Sequence, residues 1–161
     1  MHDSNSFLQL VNSSFRFRLF MLMKLPSAFF AGVRVVSASD ERCDVSVPFK
    51  WFSQNPFRST YFACLAMAAE MSTGLLAMSQ TWKRQPAVSM LVTGLEAAYH
   101  KKATGITIFT CSQGREIAEA VNLAVTTGEA QMIRILSRGV TQSGELVAEF
   151  YITWSFKTKK I

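Results

Sequence analysis

One segment of this sequence, residues 59–80, constrains the fold more than any other. It reads STYFACLAMAAEMSTGLLAMSQ, contains no proline and carries a single charged residue, Glu70. Alanine, leucine and methionine favour helix, and either Ser59 or Thr60 is a suitable N-cap. Because this helix is apolar around nearly its whole circumference, it should be buried on nearly all sides. The rest of the chain is therefore expected to wrap around it.

The flanking segments have strand patterns. A weakly alternating hairpin precedes the helix and four strands follow it, the last two joined by Gln142-Ser143-Gly144. The predicted strands are 33–39, 43–49, 87–99, 105–110, 129–141 and 145–157, and a second helix is inserted at 112–127, with Ser112 as its cap and Gly128 as its stop. In the last strand the apolar side chains alternate with polar ones and form one buried face, made of Ala148, Phe150, Ile152, Trp154 and Phe156. This order predicts an α+β fold in which about six antiparallel strands wrap a long central helix.

The N-terminal segment is rich in Phe, Leu and Met but is interrupted by Arg16, Arg18 and Lys24. These charges argue against a membrane-spanning helix, and a signal peptide would carry its charge before the apolar stretch. We interpret residues 1–25, and Ser6 to Leu25 in particular, as one helix that lies across the domain. A helix lying on a membrane surface is the alternative.

The length of 161 residues suits a single domain spanning 1–161. Only 17% of the residues are charged, while 13 are Phe and 8 are Met. This composition indicates an oligomer interface or an apolar ligand. Cys43, Cys64 and Cys111 are far apart and form no CxxC pair. The sequence therefore predicts neither a metal site nor a disulfide framework, no cofactor, and a reducing, cytoplasmic location.

The formal net charge is +6, and Lys83-Arg84, Lys101-Lys102 and the C-terminal lysines form clusters. A positive charge of this size attracts nucleic acid, anionic lipid or a phosphorylated small molecule. The alternative is that it serves only to keep the protein soluble. A nucleic-acid binder needs exposed aromatic side chains among its basic residues. The aromatic residues of the last strand are instead expected on its buried face, so we predict no nucleic-acid partner.

Glu70 is the most informative single residue. It lies in the middle of the helix among mostly small side chains, and no Lys or Arg stands three or four positions away to pair with it. Burying an isolated carboxylate costs several kcal/mol unless it is paired or protonated, and such burial raises its pKa toward that of a general base. A structural, hydrogen-bonded glutamate or one at a solvent-filled dimer seam remains the other reading.

A second residue, Asn55, precedes the helix and is followed by Pro56. Backbone N–H groups point outward at a helix start, where the dipole favours negative charge. An Asn before Pro is also ordinary loop chemistry.

From Asn55 to Glu70, the sequence resembles the hotdog-fold superfamily of acyl-CoA thioesterases. In the phenylacetate-pathway branch, a loop Asn is followed by His-Gly-Gly at the helix start and by an acidic residue fifteen positions after the Asn, the same separation as here. The passage from Tyr99 to Gly105 and the closing strand with Glu149, Tyr151 and Trp154 also resemble poorly characterised thioesterase-like members. The resemblance covers roughly residues 25–158 and implies the hotdog fold.

The sequence departs from the family motif at the helix start, where Tyr61 stands for the His and Phe62 and Ala63 for the two glycines. The resemblance implies that the thioester carbonyl points at the amides near Phe62 and Ala63, since a backbone donor needs no particular side chain. It further implies that Glu70 activates water or attacks directly and that Asn55 positions the water or the carbonyl. Tyr61 would donate a hydrogen bond or pack.

The same resemblance implies a site shared between two subunits of a homodimer or tetramer, with an acyl-CoA as substrate. Thr73 is expected to contact the substrate, and Arg58, Lys101 and Lys102 are expected to meet the phosphates of coenzyme A. The function predicted is hydrolysis of a thioester with an apolar acyl chain. The alternative is an acyl-CoA or fatty-acyl binding protein that has lost the chemistry through Tyr61 and Phe62.

Overall fold

The computed structural model describes residues 4–159. Five α-helices, one short 3₁₀ helix and six strands follow one another along the chain. They are α1 (Ser4–Asn12), α2 (Ser14–Lys24), α3 (Pro26–Ala31), β1 (Arg34–Ala38), β2 (Cys43–Val47), the 3₁₀ helix (Trp51–Ser53), α4 (Phe62–Thr81), β3 (Val88–Tyr99), β4 (Thr107–Cys111), α5 (Gly114–Thr127), β5 (Gln131–Thr141) and β6 (Leu146–Thr158).

The six strands form one sheet in the order β1-β2-β4-β5-β6-β3, and every neighbouring pair is antiparallel. The sheet packs against α4, which contacts all six strands. This arrangement confirms the predicted α+β class and the predicted wrapping of a central helix. It also leaves β1 and β3 as the two edges of the sheet.

The core lies between α4 and the concave face of the sheet. The predicted inner face of β6 is confirmed: Phe150, Ile152 and Phe156 are fully buried. Gly139 lets β5 approach Phe109, since a Cβ there would lie 2.5 Å from the Phe109 ring.

The central helix begins later than the sequence indicates, at Phe62 instead of Ser59. The predicted caps are used elsewhere: the Thr60 hydroxyl donates to the Ala103 carbonyl at 3.2 Å, and Ser59 bonds Asn55. Tyr61 occupies the N-cap position without a side-chain hydrogen bond. The prediction of a Ser or Thr cap was therefore wrong, because tertiary partners compete for both hydroxyls.

The inserted helix is confirmed with a small shift. It begins at Gly114 after Gln113, not at a Ser112 cap. The Gln113 side chain accepts a hydrogen bond from the Leu136 N–H at 2.8 Å. Gly128 ends the helix in the left-handed region, with φ of 73°, as predicted.

The prediction of one helix over residues 1–25 was wrong, because its described part, residues 4–25, forms α1 and α2, and α3 follows; residues 1–3 lie outside the described residues. The chain breaks at Ser13, whose backbone is extended, and again at Leu25 before Pro26, which begins α3. The first break lets the Asn12 side chain pair with both backbone groups of Ala38, at 2.9 and 3.1 Å. Asn12 thereby covers part of the β1 edge, which a continuous helix would leave open.

Among residues 4–159, α4 is the one helix long and apolar enough to cross a membrane. In its 18-residue apolar window, 67% of the residues are buried inside the fold. The apolar composition of α4 is thus accounted for by its place in the core.

Candidate active site

A cavity of about 790 Å³ opens at the N-terminal end of α4. Three parts of the chain form it: the loop before α4, the first turn of α4, and the end of β3 with the residues after it. The lining residues are Gln54, Asn55, Pro56, Phe57, Ser59, Thr60, Tyr61, Phe62, Leu65, Tyr99, His100, Lys101, Lys102 and Ala103. The cavity combines aromatic walls with a basic edge, a combination suited to an apolar group attached to an anionic one.

Asn55 lines this cavity and organises the loop before α4. Its Oδ1 accepts hydrogen bonds from the N–H groups of Phe57 and Ser59, at 3.0 and 3.2 Å. Its Nδ2 donates to the Ser59 hydroxyl at 3.1 Å. The amide is therefore engaged by the loop itself, and its direct effect is to set the shape of the cavity wall.

The start of α4 supplies free backbone donors. The Cys64 N–H donates to the Tyr61 carbonyl at 2.9 Å, whereas neither the Phe62 nor the Ala63 N–H finds an acceptor within residues 4–159. Phe62 lines the cavity and Ala63 follows it directly. Because Ser59 and Thr60 do not cap the helix, these two N–H groups remain available to a ligand oxygen.

Glu70 lies further along α4, partly buried, on the same face as Ala63, Ala66 and Met67. Glu70 and these three residues are all partly exposed. Beyond Glu70, the residues on this face of α4 are buried in the core. Within the described residues, the Glu70 carboxylate takes part in no hydrogen bond or ion pair. Burial raises the pKa of this carboxyl above its ordinary value. The group is thus an acid without a partner among the described residues, and it does not line the cavity.

The Glu70 carboxylate and the Trp154 ring both lie close to Gly74. A Cβ at Gly74 would lie 3.0 Å from Glu70 Oε1 and 3.3 Å from the Trp154 ring, so a side chain there would make tight contacts with both groups. Thr73 is fully buried, accepts from Trp154 Nε1 at 2.9 Å and donates to the Glu70 carbonyl at 3.0 Å. Thr73 therefore fixes the helix beneath Glu70, and the structure does not bring its hydroxyl to the cavity.

The basic edge of the cavity consists of Lys101 and Lys102. Lys101 pairs with Glu145 at 2.7 Å, and Lys102 donates to the Phe57 carbonyl at 3.4 Å. His100 also lines the cavity and contacts Glu149 at 3.2 Å. Arg58 is exposed, with φ of 58°, and lies outside the lining.

The structure thus joins five predicted residues in one cavity: Asn55, Tyr61, Phe62, Lys101 and Lys102. It leaves Ala63 beside that cavity and Glu70, Thr73 and Arg58 outside its lining.

Sequence reasoning missed Phe57, Leu65 and Tyr99 as cavity residues. Leu65 and Phe57 carry no signal beyond their apolar character. Tyr99 is the last residue of β3, and its exposure at a strand end follows only from the tertiary structure.

Within residues 4–159, no group of three His, Cys, Asp or Glu side chains could hold a metal ion. Burial raises the pKa of the Cys64 thiol, which disfavours a thiolate nucleophile there.

A long helix wrapped by a six-stranded antiparallel sheet, with a cavity at the helix start, defines the hotdog class of proteins. Solved structures share this architecture at low sequence identity. The Pseudomonas aeruginosa protein PA5026, described as a protein of unknown function and probable thioesterase, superposes with a TM-score of 0.72 at 16% identity, covering 98% of this chain and 97% of that one. A Chlorobaculum tepidum protein of unknown function gives 0.77 at 16%, covering 96% and 100%.

The PaaI protein of Escherichia coli, from the phenylacetic acid degradation operon, gives a TM-score of 0.63 at 14% identity, covering 93% of this chain and 96% of that one. These neighbours confirm the resemblance to the hotdog thioesterases and the hotdog fold. No curated protein matches the sequence. Residues 14–156 match the family model "Domain of unknown function (DUF4442)". The chain belongs to this DUF4442 family.

Proposed function

We propose that this protein is an acyl-CoA thioesterase that hydrolyses the thioester of an apolar acyl chain. The single observation that carries the proposal lies at the cavity end of α4: within the described residues, the Phe62 and Ala63 N–H groups are unbonded and the only acid of this helix has no partner. Hydrolysis of a thioester needs both parts: donors for the developing oxyanion and a base for water. The hotdog thioesterase neighbours support the same chemistry.

In the proposed complex, the acyl chain lies against Tyr61, Leu65 and Tyr99, the apolar part of the cavity wall. The thioester carbonyl points at the Phe62 and Ala63 N–H groups, where the positive end of the helix dipole stabilises the charge on oxygen. Lys101 and Lys102 stand at the edge, where the anionic phosphates of coenzyme A emerge.

Glu70 is the proposed base. It follows Phe62 by eight positions, about 12 Å along the helix axis, so its carboxylate cannot touch a carbonyl held at the Phe62 N–H of its own chain. A second copy, packed against the partly exposed face of α4, would bring its Glu70 to that carbonyl. We therefore propose a homodimer in which each site combines the helix start of one protomer with Glu70 of the other.

The chemical step then follows. Glu70 takes a proton from water, the water oxygen attacks the carbonyl carbon, and the oxyanion is held by the helix N–H groups. The C–S bond breaks as the oxyanion collapses, and coenzyme A leaves as the thiol after receiving the proton.

The test is a panel of acyl-CoA substrates of different chain lengths, assayed with the wild type and with Glu70→Gln. We expect turnover by the wild type and a fall of about 10²–10⁴-fold in the variant, the range of a general base. Exposed Glu129→Gln, on the loop before β5, is the matched control and should leave the rate unchanged. Equal background hydrolysis by the wild type and Glu70→Gln would overturn the proposal.

The second candidate is a protein that binds acyl-CoA without hydrolysing it. The observation in its favour is Phe62, whose ring lines the cavity where the related motif has glycine, and this ring crowds a bound thioester. Saturable binding of acyl-CoA by calorimetry, without turnover of any substrate in the panel, would favour this candidate.

A further inference from the structure

The outward face of α2 is apolar although nothing within residues 4–159 covers it. The inward side chains Phe17 and Met21 are buried, as in any helix packed on a core. The opposite face also carries large apolar side chains: Phe15 is 81% exposed, Met23 is 64% exposed, and Leu19 and Leu22 lie between them. These four positions share one side of the helix, since Leu19 follows Phe15 by four residues, and Leu22 and Met23 follow Leu19 by three and four.

An aromatic cluster adjoins this face. α3 follows α2 after a single residue, and its exposed Phe30 contacts Phe52 of the 3₁₀ helix with ring centroids 5.8 Å apart. Phe52 in turn contacts Trp51 at 5.9 Å, and Trp51 is 80% exposed. We call the seven residues together the N-terminal apolar surface: Phe15, Leu19, Leu22, Met23, Phe30, Trp51 and Phe52.

The charged residues in the two chain segments that form this surface are all basic. Residues 4–39 contain Arg16, Arg18, Lys24 and Arg34 and no Asp or Glu, and residues 45–69 contain Lys50 and Arg58 and again no acid. Arg16, Lys24 and Lys50 are exposed, and none of them pairs with a carboxylate among the residues that the structure describes. Exposed aromatic and aliphatic side chains with unpaired cations are the features of a protein surface that enters the headgroup region of an anionic bilayer.

We propose that the N-terminal apolar surface docks this protein on anionic lipid bilayers, with α2 lying in the plane of the interface. The charge pattern favours a bilayer over a second copy of the chain as the partner of this surface. A symmetric contact of this surface with itself would bring cations against cations with no acid between them. A bilayer supplies both an apolar layer for Phe15 and Trp51 and phosphates for Arg16, Lys24 and Lys50.

The test is flotation of the full chain with vesicles of phosphatidylcholine alone and of phosphatidylcholine with phosphatidylglycerol. We expect binding to the anionic vesicles, weakened by salt, and little binding to the neutral ones. Arg16→Gln with Lys24→Gln should weaken the binding about fivefold for each cation removed. Lys83→Gln with Lys157→Gln removes the same charge from exposed sites elsewhere and should weaken it less.

The apolar contribution is tested by Phe15→Ser with Met23→Ser, against Ile106→Ser with Met132→Ser as the matched control on other exposed surfaces. The first pair should lose at least tenfold in affinity for the anionic vesicles and the control pair should not. A blue shift of tryptophan fluorescence on vesicles that disappears in Trp51→Phe would place the exposed indole in the bilayer.

Three results would overturn the proposal: no binding to either vesicle, equal binding by the Phe15 and Met23 variant and its control, or a change of oligomeric state in that variant, which would assign the surface to a second copy. The acyl-CoA assay with the same variants separates this proposal from the proposed function. We expect their turnover in solution to be unchanged, because none of the substituted residues lines the cavity.

Discussion

At the scale of the residue, Glu70 is a cost to folding that function would explain. Its carboxylate is largely buried and has no partner among the described residues, and burial raises its pKa. A charged form that the fold disfavours is what a base requires and what a structural residue avoids. The glycine at position 74 is part of the same arrangement, because a Cβ there would lie 3.0 Å from Glu70 Oε1, a tight contact that the carboxylate would have to shift to relieve.

The pH dependence of stability follows from this shift. The folded-state pKa of Glu70 lies above the ordinary value of 4.5, so the folded chain binds the proton more tightly than the unfolded chain does. The stabilisation is present below about pH 4.5 and is lost as the pH rises through the raised pKa. We therefore expect the stability of Glu70→Gln relative to the wild type to rise as the pH increases from 4.5 to 8, because only the wild type must bury a carboxylate that becomes charged.

Urea unfolding of both proteins, at one protein concentration across this pH range, measures the difference. Glu129→Gln is the exposed control and should follow the wild type. A constant difference between Glu70→Gln and the wild type at every pH would show that the Glu70 carboxylate does not titrate differently in the fold.

At the scale of the element, the hydrogen bonding at the start of α4 determines whether the proposed active site has free N–H donors. Ser59 and Thr60, the two side chains able to cap this helix, are bound to Asn55 and Ala103. Tyr61 takes the cap position with an extended backbone and gives the N–H groups no acceptor. The helix therefore lacks a side-chain cap, worth about 1 kcal/mol, and keeps two unbonded N–H groups, one at Phe62 in the cavity lining and one at Ala63 beside it.

Phe62→Pro tests these donors directly. Proline is favoured at the first position of a helix, and the extended backbone of Tyr61 suits a following proline. The variant should fold with little change in stability while lacking the Phe62 N–H. We expect thioester hydrolysis to fall about 10²–10³-fold, the usual effect of losing one oxyanion donor.

Phe62→Ala is the control, since it removes the same ring and keeps the N–H. Its hydrolysis should exceed that of Phe62→Pro by at least tenfold, and urea unfolding should show both variants folded. Equal rates for the two variants would mean that the ring and not the backbone donor contributes to the reaction.

At the scale of the whole molecule, β3 is a long, apolar edge strand. Leu91 and Leu95 are exposed along it, and no strand pairs with its outer side among the described residues. Such an edge invites pairing with another chain. Pairing through β3 is compatible with the proposed homodimer, in which the sites are shared between protomers.

Mixing two inactive variants distinguishes shared sites from sites within one chain. Glu70→Gln lacks the base and Phe62→Pro lacks the donor. If each site uses both protomers, every mixed dimer has one intact site. Equal amounts refolded together should then recover about a quarter of the wild-type rate, since half of the dimers are mixed.

Each variant refolded alone is the control and should stay inactive. If one chain held a complete site, every site in the mixture would carry a defect, and no rate would be recovered. That result would contradict the shared site while leaving the roles of Glu70 and Phe62 in place.

Local sequence patterns were sufficient to predict much of the architecture. The apolar composition of residues 59–80 required a buried helix, and the alternation in β6 assigned its inner face correctly. The lone charge within that helix also made Glu70 a candidate catalytic residue, a role that stays a prediction. The spacing of apolar residues and the local composition depend on residues close in sequence. Helices and strands that form through contacts between such residues can therefore be predicted from the sequence.

Tertiary structure alone decided the remaining features, because they depend on partners distant in sequence. Thr60 is taken from its capping role by Ala103, 43 positions away. Asn12 binds Ala38, 26 positions away, at the break between α1 and α2. The sequence determined that this chain buries a long helix with one acid; the folded chain decided which polar groups at its start stay free, since hydrogen-bond partners are chosen by proximity in space.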